Sequence, residues 1–164
     1  MISALRKIKQ LLLLPYTTIA PVIGKSLCAL PAGARLFADP HKQIFFGYFD
    51  ISPLSPDGKT LLACRAPGEN ISPHVSHPEL EVGYYTLAEE GAQFHLLGRT
   101  TSWNWQQGCR LQWLQASERV VYNVFEDGEF KAKIQNIETG AVEKTLSEPI
   151  YGLSPDGRTA LTLN

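Results

Sequence analysis

The spacing of apolar residues changes once along the chain. In residues 1–30, Ile2, Leu5, Ile8, Leu11 and Leu12 recur near the helical period, which predicts a short amphipathic helix that caps the fold or rests on a membrane surface. From Phe45 onward, apolar residues alternate or run in short blocks of strand length, separated by Gly, Pro and Asp. The division expected is a helical or irregular segment over 1–40 and an all-β region over 45–164.

One turn recurs within the β region. Leu54-Ser55-Pro56-Asp57-Gly58-Lys59-Thr60-Leu61-Leu62 returns as Leu153-Ser154-Pro155-Asp156-Gly157-Arg158-Thr159-Ala160-Leu161. The order Ser, Pro, Asp, Gly matches the preferences of a type I turn: Pro has its φ already fixed, and Gly accepts the left-handed conformation that lets a hairpin close. A drifted copy, Trp113-Leu114-Gln115-Ala116-Ser117-Glu118-Arg119-Val120-Val121-Tyr122, keeps the apolar flanks. Counted from Leu54, Trp113 and Leu153, the copies lie about 59 and about 40 residues apart, the spacing of four-stranded propeller blades with a loop inserted in the first repeat.

The strands predicted in the first repeat are 46–54, 59–65, 81–87 and 93–99, and in the second 110–114, 119–125, 130–137 and 141–146. A third repeat begins at Ile150 and turns at Ser154. The fold class expected is therefore all-β, a partial β-propeller of two four-stranded antiparallel blades (45–99 and 110–146) and the start of a third (150–164). Propellers have four to eight blades, each burying its faces on its neighbours. The chain is thus expected to continue beyond Asn164, or to have its open faces covered by the N-terminal segment or another chain. A Greek-key sandwich accommodates the same strands but does not predict a turn repeated at blade spacing.

Charge narrows the partners. Fifteen basic and 16 acidic residues give a net charge of -1 and form no runs, so the basic stripe needed for a phosphate backbone is missing and nucleic acid is not an expected partner. No apolar run approaches the length of a membrane span. Arg6, Lys7 and Lys9 before four leucines, with Ala32-Gly33-Ala34 downstream, are similar to a signal peptide, but Pro15, Thr17, Thr18 and Lys25 interrupt that pattern. Cys28, Cys64 and Cys109 form no metal or redox spacing and read as buried apolar residues, compatible with a reducing compartment.

The densest candidate chemistry is Trp103-Asn104-Trp105-Gln106-Gln107-Gly108. On a strand, Trp103 and Trp105 face one way and Asn104 and Gln106 the other. Aromatic faces stack on pyranose rings and amides serve both donors and acceptors of hydroxyls, so the segment suits a sugar. The competing reading has the tryptophans filling the gap between blades and the amides satisfying backbone groups. Asp50 also carries two readings, a ligand-facing carboxylate in a central channel or an acceptor of backbone N–H groups near Ser52. His74 and His77, with Glu79 nearby, are weak metal candidates because a proline-rich loop does not align ligands rigidly. His95 reads as a partly buried strand residue. No nucleophile elbow, phosphate-binding glycine loop or zinc-protease pair occurs, so catalysis by this chain alone is not expected and no cofactor is assigned.

The turn repeat resembles that of the TolB-like and WD-repeat-like propellers. Phe46-Gly47-Tyr48-Phe49-Asp50, and Trp103 to Gly108 before Leu111-Gln112-Trp113, are similar to segments of the oligogalacturonate-lyase-like propeller group. That resemblance implies a seven-bladed assembly, some of whose members eliminate across a uronic-acid linkage with a histidine base and a divalent metal held by histidines and a glutamine. Those residues belong to later blades and match no position here. The function it implies is carbohydrate binding or a relation to uronide-processing propellers; the other expectation is a scaffold for protein partners.

Overall fold

The computed structural model describes residues 32–68, 78–87, 92–114 and 117–163. The predicted N-terminal helix, Cys28, His74 and His77 lie outside the described residues. From Phe37 onward the chain forms one compact unit, Phe37–Asn164, which is all-β among its described residues.

Two four-stranded antiparallel meanders and a two-stranded hairpin follow one another. The first sheet holds β1 (Lys42–Phe45), β2 (Thr60–Pro67), β3 (Leu80–Thr86) and β4 (Phe94–Thr100); the second holds β5 (Gln112–Trp113), β6 (Arg119–Glu126), β7 (Glu129–Asn136) and β8 (Val142–Leu146). β9 (Gly152–Leu153) and β10 (Ala160–Leu161) form the hairpin.

The two Ser-Pro-Asp-Gly turns are built alike because their side chains complete the same set of hydrogen bonds. Ser55 Oγ accepts the Thr60 N–H at 2.9 Å and donates to Asp57 at 2.6 Å. Ser154 Oγ accepts from Thr159 at 3.0 Å and donates to Asp156 at 2.6 Å. The serine hydroxyl holds each Asp carboxyl below its ordinary range, and the N–H two residues on adds to this. Gly58 and Gly157 take φ values of 72° and 63°, which a side chain would resist. The drifted copy keeps the closing bond, Leu114 N–H to Arg119 C=O at 2.8 Å, equivalent to Ser55 to Thr60 and Ser154 to Thr159.

The strand expected over 46–54 is not continuous. β1 lies earlier and pairs through Phe45 with Cys64, and contact with β2 resumes only at Leu54, opposite Leu61. Residues 46–52 leave the sheet between these points. Pro53 has no N–H to give the ladder, though its carbonyl accepts from Leu62 at 2.9 Å. Gly47, at φ 149°, brings the excursion so close to Gln107 that a Cβ would lie 2.8 Å from that carbonyl oxygen.

In the second sheet, β6 is buried on both of its faces. Val120, Tyr122 and Val124 of β6 join Leu62, Cys64, Leu80 and Val82 of the first sheet in one core. Val121, pointing the other way, joins Ala132 and Ile150 in a second, closed by Leu153 of the hairpin. This explains the nearly unbroken apolar run of β6, since a strand covered on both sides has no polar face to show. Each aliphatic side chain so withdrawn contributes roughly 1.5–3 kcal/mol, so the faces hold the sheets together. Gly98 of β4 leaves room for the Tyr122 hydroxyl, which would sit 2.4 Å from a Cβ there. That hydroxyl donates to Gln135, whose amide nitrogen donates back to Leu97 of the first sheet at 3.0 Å. Cys64 and Cys109 also meet across this interface, sulfur to sulfur at 4.0 Å; that contact and burial push the Cys64 thiol well up.

Candidate functional site

The tryptophan–amide segment is a turn rather than a strand. Asn104 and Gly108 exchange backbone hydrogen bonds, N–H of Asn104 to Gly108 at 3.2 Å and N–H of Gly108 to Asn104 at 2.9 Å. Asn104 Oδ1 accepts the N–H groups of Gln106 and Gln107 at 3.0 and 2.8 Å. An asparagine that can cap its own turn, followed by a Gly at φ 60°, outcompetes the extended form. The expected alternation is therefore lost. Trp103 is 8% exposed, with its indole N–H on the Pro78 carbonyl at 2.7 Å, while Trp105 is 42% exposed and meets Trp103 edge-on. Phe45 packs against both rings.

Asp50 pairs with an arginine 60 residues further along the chain. The excursion delivers it to Arg110, whose Nη1 and Nη2 reach the carboxylate at 3.1 to 3.3 Å. Arg110 is itself fixed by the start of the third repeat. Its Nε donates to the Tyr151 carbonyl at 2.6 Å, and its guanidinium lies 4.2 Å over the Tyr151 ring. The Arg110 side chain is only 6% exposed, and its backbone is left-handed at φ 57°. Burial of a guanidinium is tolerable here because a carboxylate, a carbonyl and a ring face all serve it.

Arg110 borders two clefts, each about 640 Å³. One is lined by Thr101, Ser102, Asn104, Gln107, Asn123 and the exposed ring pair Phe125 and Phe130, with Trp103 at its base. The other lies between the two Ser-Pro-Asp-Gly hairpins and is lined by Asp50, Pro56, Gln112, Trp113, Tyr151 and Leu161. Four of the sequence candidates thus line these clefts, Trp103, Asn104 and Gln107 the first and Asp50 the second, whereas Trp105 and Gln106 line neither. Among the described residues no group of three His, Cys, Asp or Glu side chains is placed to hold a metal ion, and no helix is long and apolar enough to cross a membrane.

Arg110, Asn123, Phe125 and Phe130 were not among the sequence candidates. Asn123 did carry a signal, a single amide inside the apolar run of β6, and so did Arg110, a charge between Cys109 and Leu111. Phe125 and Phe130 flank the β6–β7 turn, and only the folded hairpin sets their rings 4.8 Å apart on a cleft rim.

No family model matches the chain, and neither curated proteins nor solved structures are similar to it. Among its described residues the protein is all-β, with two stacked four-stranded antiparallel sheets and a shared buried arginine between two clefts.

Proposed function

We propose that the protein belongs to a β-propeller, of TolB-like or WD-repeat-like type, that binds carbohydrate in the cleft lined by Asn104, Gln107, Phe125 and Phe130. The observation that carries this reading is the make-up of that cleft. Hydroxyls of Thr101 and Ser102 and amides of Asn104, Gln107 and Asn123 lie beside an exposed aromatic pair. Asn104 uses its side-chain oxygen on the turn, and the side-chain amide of Gln107 makes no hydrogen bond among the described residues. Rings for the apolar face of a pyranose, with the side-chain amide of Gln107 and the amide nitrogen of Asn104 for its hydroxyls, are what sugar recognition asks for, while Asn123 is committed to Ile150. The propeller reading draws on the stacking of meander sheets and the repeated turn, a relation to uronide-processing propellers on the two short sequence resemblances.

Titration of the purified protein with neutral and uronic-acid oligosaccharides tests this reading. Gln107→Ala and Phe130→Ala, both outside the core, are each expected to weaken binding about tenfold while the fold is retained. Trp103 is unsuitable because its replacement would empty the core. Binding of no glycan, or native-like binding by both variants, would leave the other expectation, a scaffold for protein partners through exposed aromatics such as Phe49.

A further inference from the structure

We infer that the cleft between the two Ser-Pro-Asp-Gly hairpins is a binding site for a small organic acid with an apolar body, whose carboxylate takes the place of Asp50 on Arg110. The position of Arg110 does not depend on Asp50. Its Nε bond to the Tyr151 carbonyl and the Tyr151 ring beneath it hold the guanidinium from the side of the third repeat, and the left-handed backbone at φ 57° aims it there at the expense of local strain. Asp50 arrives from the opposite direction, on an excursion belonging to no strand, and its side chain is 34% exposed.

Asp50 meets the guanidinium end-on, Nη1 donating to Oδ1 at 3.3 Å and Nη2 to Oδ2 at 3.1 Å. This is the fork geometry that any carboxylate satisfies. Exchanging Asp50 for a ligand carboxylate therefore leaves the buried cation paired throughout, and Asp50 gains water as it leaves. The core need not open.

The remaining walls specify the body of the ligand. Leu54, Pro56, Trp113 and Leu161 present hydrocarbon and ring surface. Most polar groups among them are already committed: the Trp113 indole N–H to the Pro53 carbonyl at 3.1 Å, the Ser154 hydroxyl to Thr159 and Asp156, and Gln112 Nε2 to the Arg110 carbonyl at 3.2 Å. Such walls favour an aryl or alkyl acid over a sugar acid, whose hydroxyls would be stripped of water without return. The volume is within the range of small-ligand sites. Asp50 then acts as an internal competitor, so the native protein binds weakly and a variant without this charge binds more tightly.

Phenylacetate, phenylacetamide and acetate serve as probes, measured by calorimetry and ligand-observed NMR on the whole protein. The native chain is expected to bind phenylacetate about tenfold more tightly than either other probe. Asp50→Asn, which keeps the volume and removes the charge, is expected to raise phenylacetate affinity about tenfold further, and Arg110→Gln to abolish the preference over the amide. Equal binding of phenylacetate and phenylacetamide overturns the site, because it shows no carboxylate recognition. Equal binding of acetate overturns the apolar body, and no binding of phenylacetate overturns both. Should Asp50→Asn fail to fold, the comparison of the three probes on the native chain decides alone.

Discussion

The side chain of Asn123 pairs with the backbone of Ile150 as a neighbouring strand would, its Nδ2 donating to the Ile150 carbonyl at 2.9 Å and its Oδ1 accepting the Ile150 N–H at 2.8 Å. Both partners are buried. The pair fastens the second sheet to the chain that leads into the third repeat, where Val121 and Ile150 also share a core.

Replacing Asn123 with Ala is expected to cost about 1–3 kcal/mol, because it strands a buried N–H and carbonyl of Ile150 without partners. Urea denaturation gives the total loss. Amide exchange locates it: protection at Ile150 and Tyr151 should fall while that of β2 and β3 is kept. Unchanged exchange at Ile150 would show that Asn123 is not the fastening.

Gly108→Ala is expected to disturb the first cleft more than the core. Gly108 sits at φ 60°, and a Cβ there would lie 2.6 Å from the Phe46 carbonyl oxygen. Both effects oppose a side chain, for a destabilisation of about 1–3 kcal/mol by thermal or chemical melting. Gly128→Ala, at φ 80° but with nothing within 4 Å, isolates the backbone component and should cost less. Equal losses at the two positions would show that the approach of residues 46–47 to this turn is unimportant.

Ser55→Ala is expected to cost more than Ser154→Ala. Each serine caps its hairpin in the same way, but Ser55 is buried and Ser154 is partly open to water, which replaces lost hydrogen bonds. A difference of about 1 kcal/mol in denaturant midpoint analysis is the expected reading. Two equal losses would mean that burial does not set the cost of losing the serine hydroxyl.

Acid should remove the contribution of Glu81. Burial raises its carboxyl, but Arg65 at 2.7 and 3.0 Å and Lys42 at 3.3 Å outweigh this and hold it below 4.5, its ordinary value. The folded state therefore releases this proton more readily than the unfolded chain. Its stabilisation is present above the ordinary value and is lost as pH falls through the lower folded one. Glu81→Gln should be less stable than the native chain at neutral pH, with the gap closing in that acidic window. A gap independent of pH would assign the loss to packing.

Much of the local architecture was legible in the sequence. Ser-Pro-Asp-Gly specifies its hairpin because serine, aspartate and glycine each meet a requirement of the turn within five residues. The strands after each turn were readable within a residue or two for the same reason. The apolar run of β6, broken by Asn123, fits a strand covered on both faces, but it is the packing against Leu62 on one side and Ile150 on the other that shows it.

What the sequence by itself determined is therefore the all-β class, the repeated hairpin and most strand positions, since these follow from side-chain period and turn chemistry acting over a few residues. The tertiary structure decided the rest. A strand forecast over 46–54 became an excursion because its most favourable contacts lie with Gln107 and Arg110, about 60 residues away in sequence. The alternation forecast for Trp103 and Trp105 gave way to a turn once Asn104 capped it and Trp103 found the Pro78 carbonyl. Asp50 acquired its meaning only from Arg110 and Tyr151. Two clefts on either side of one buried arginine are a product of long-range packing, and no period or motif within a short window records which distant chains will meet there.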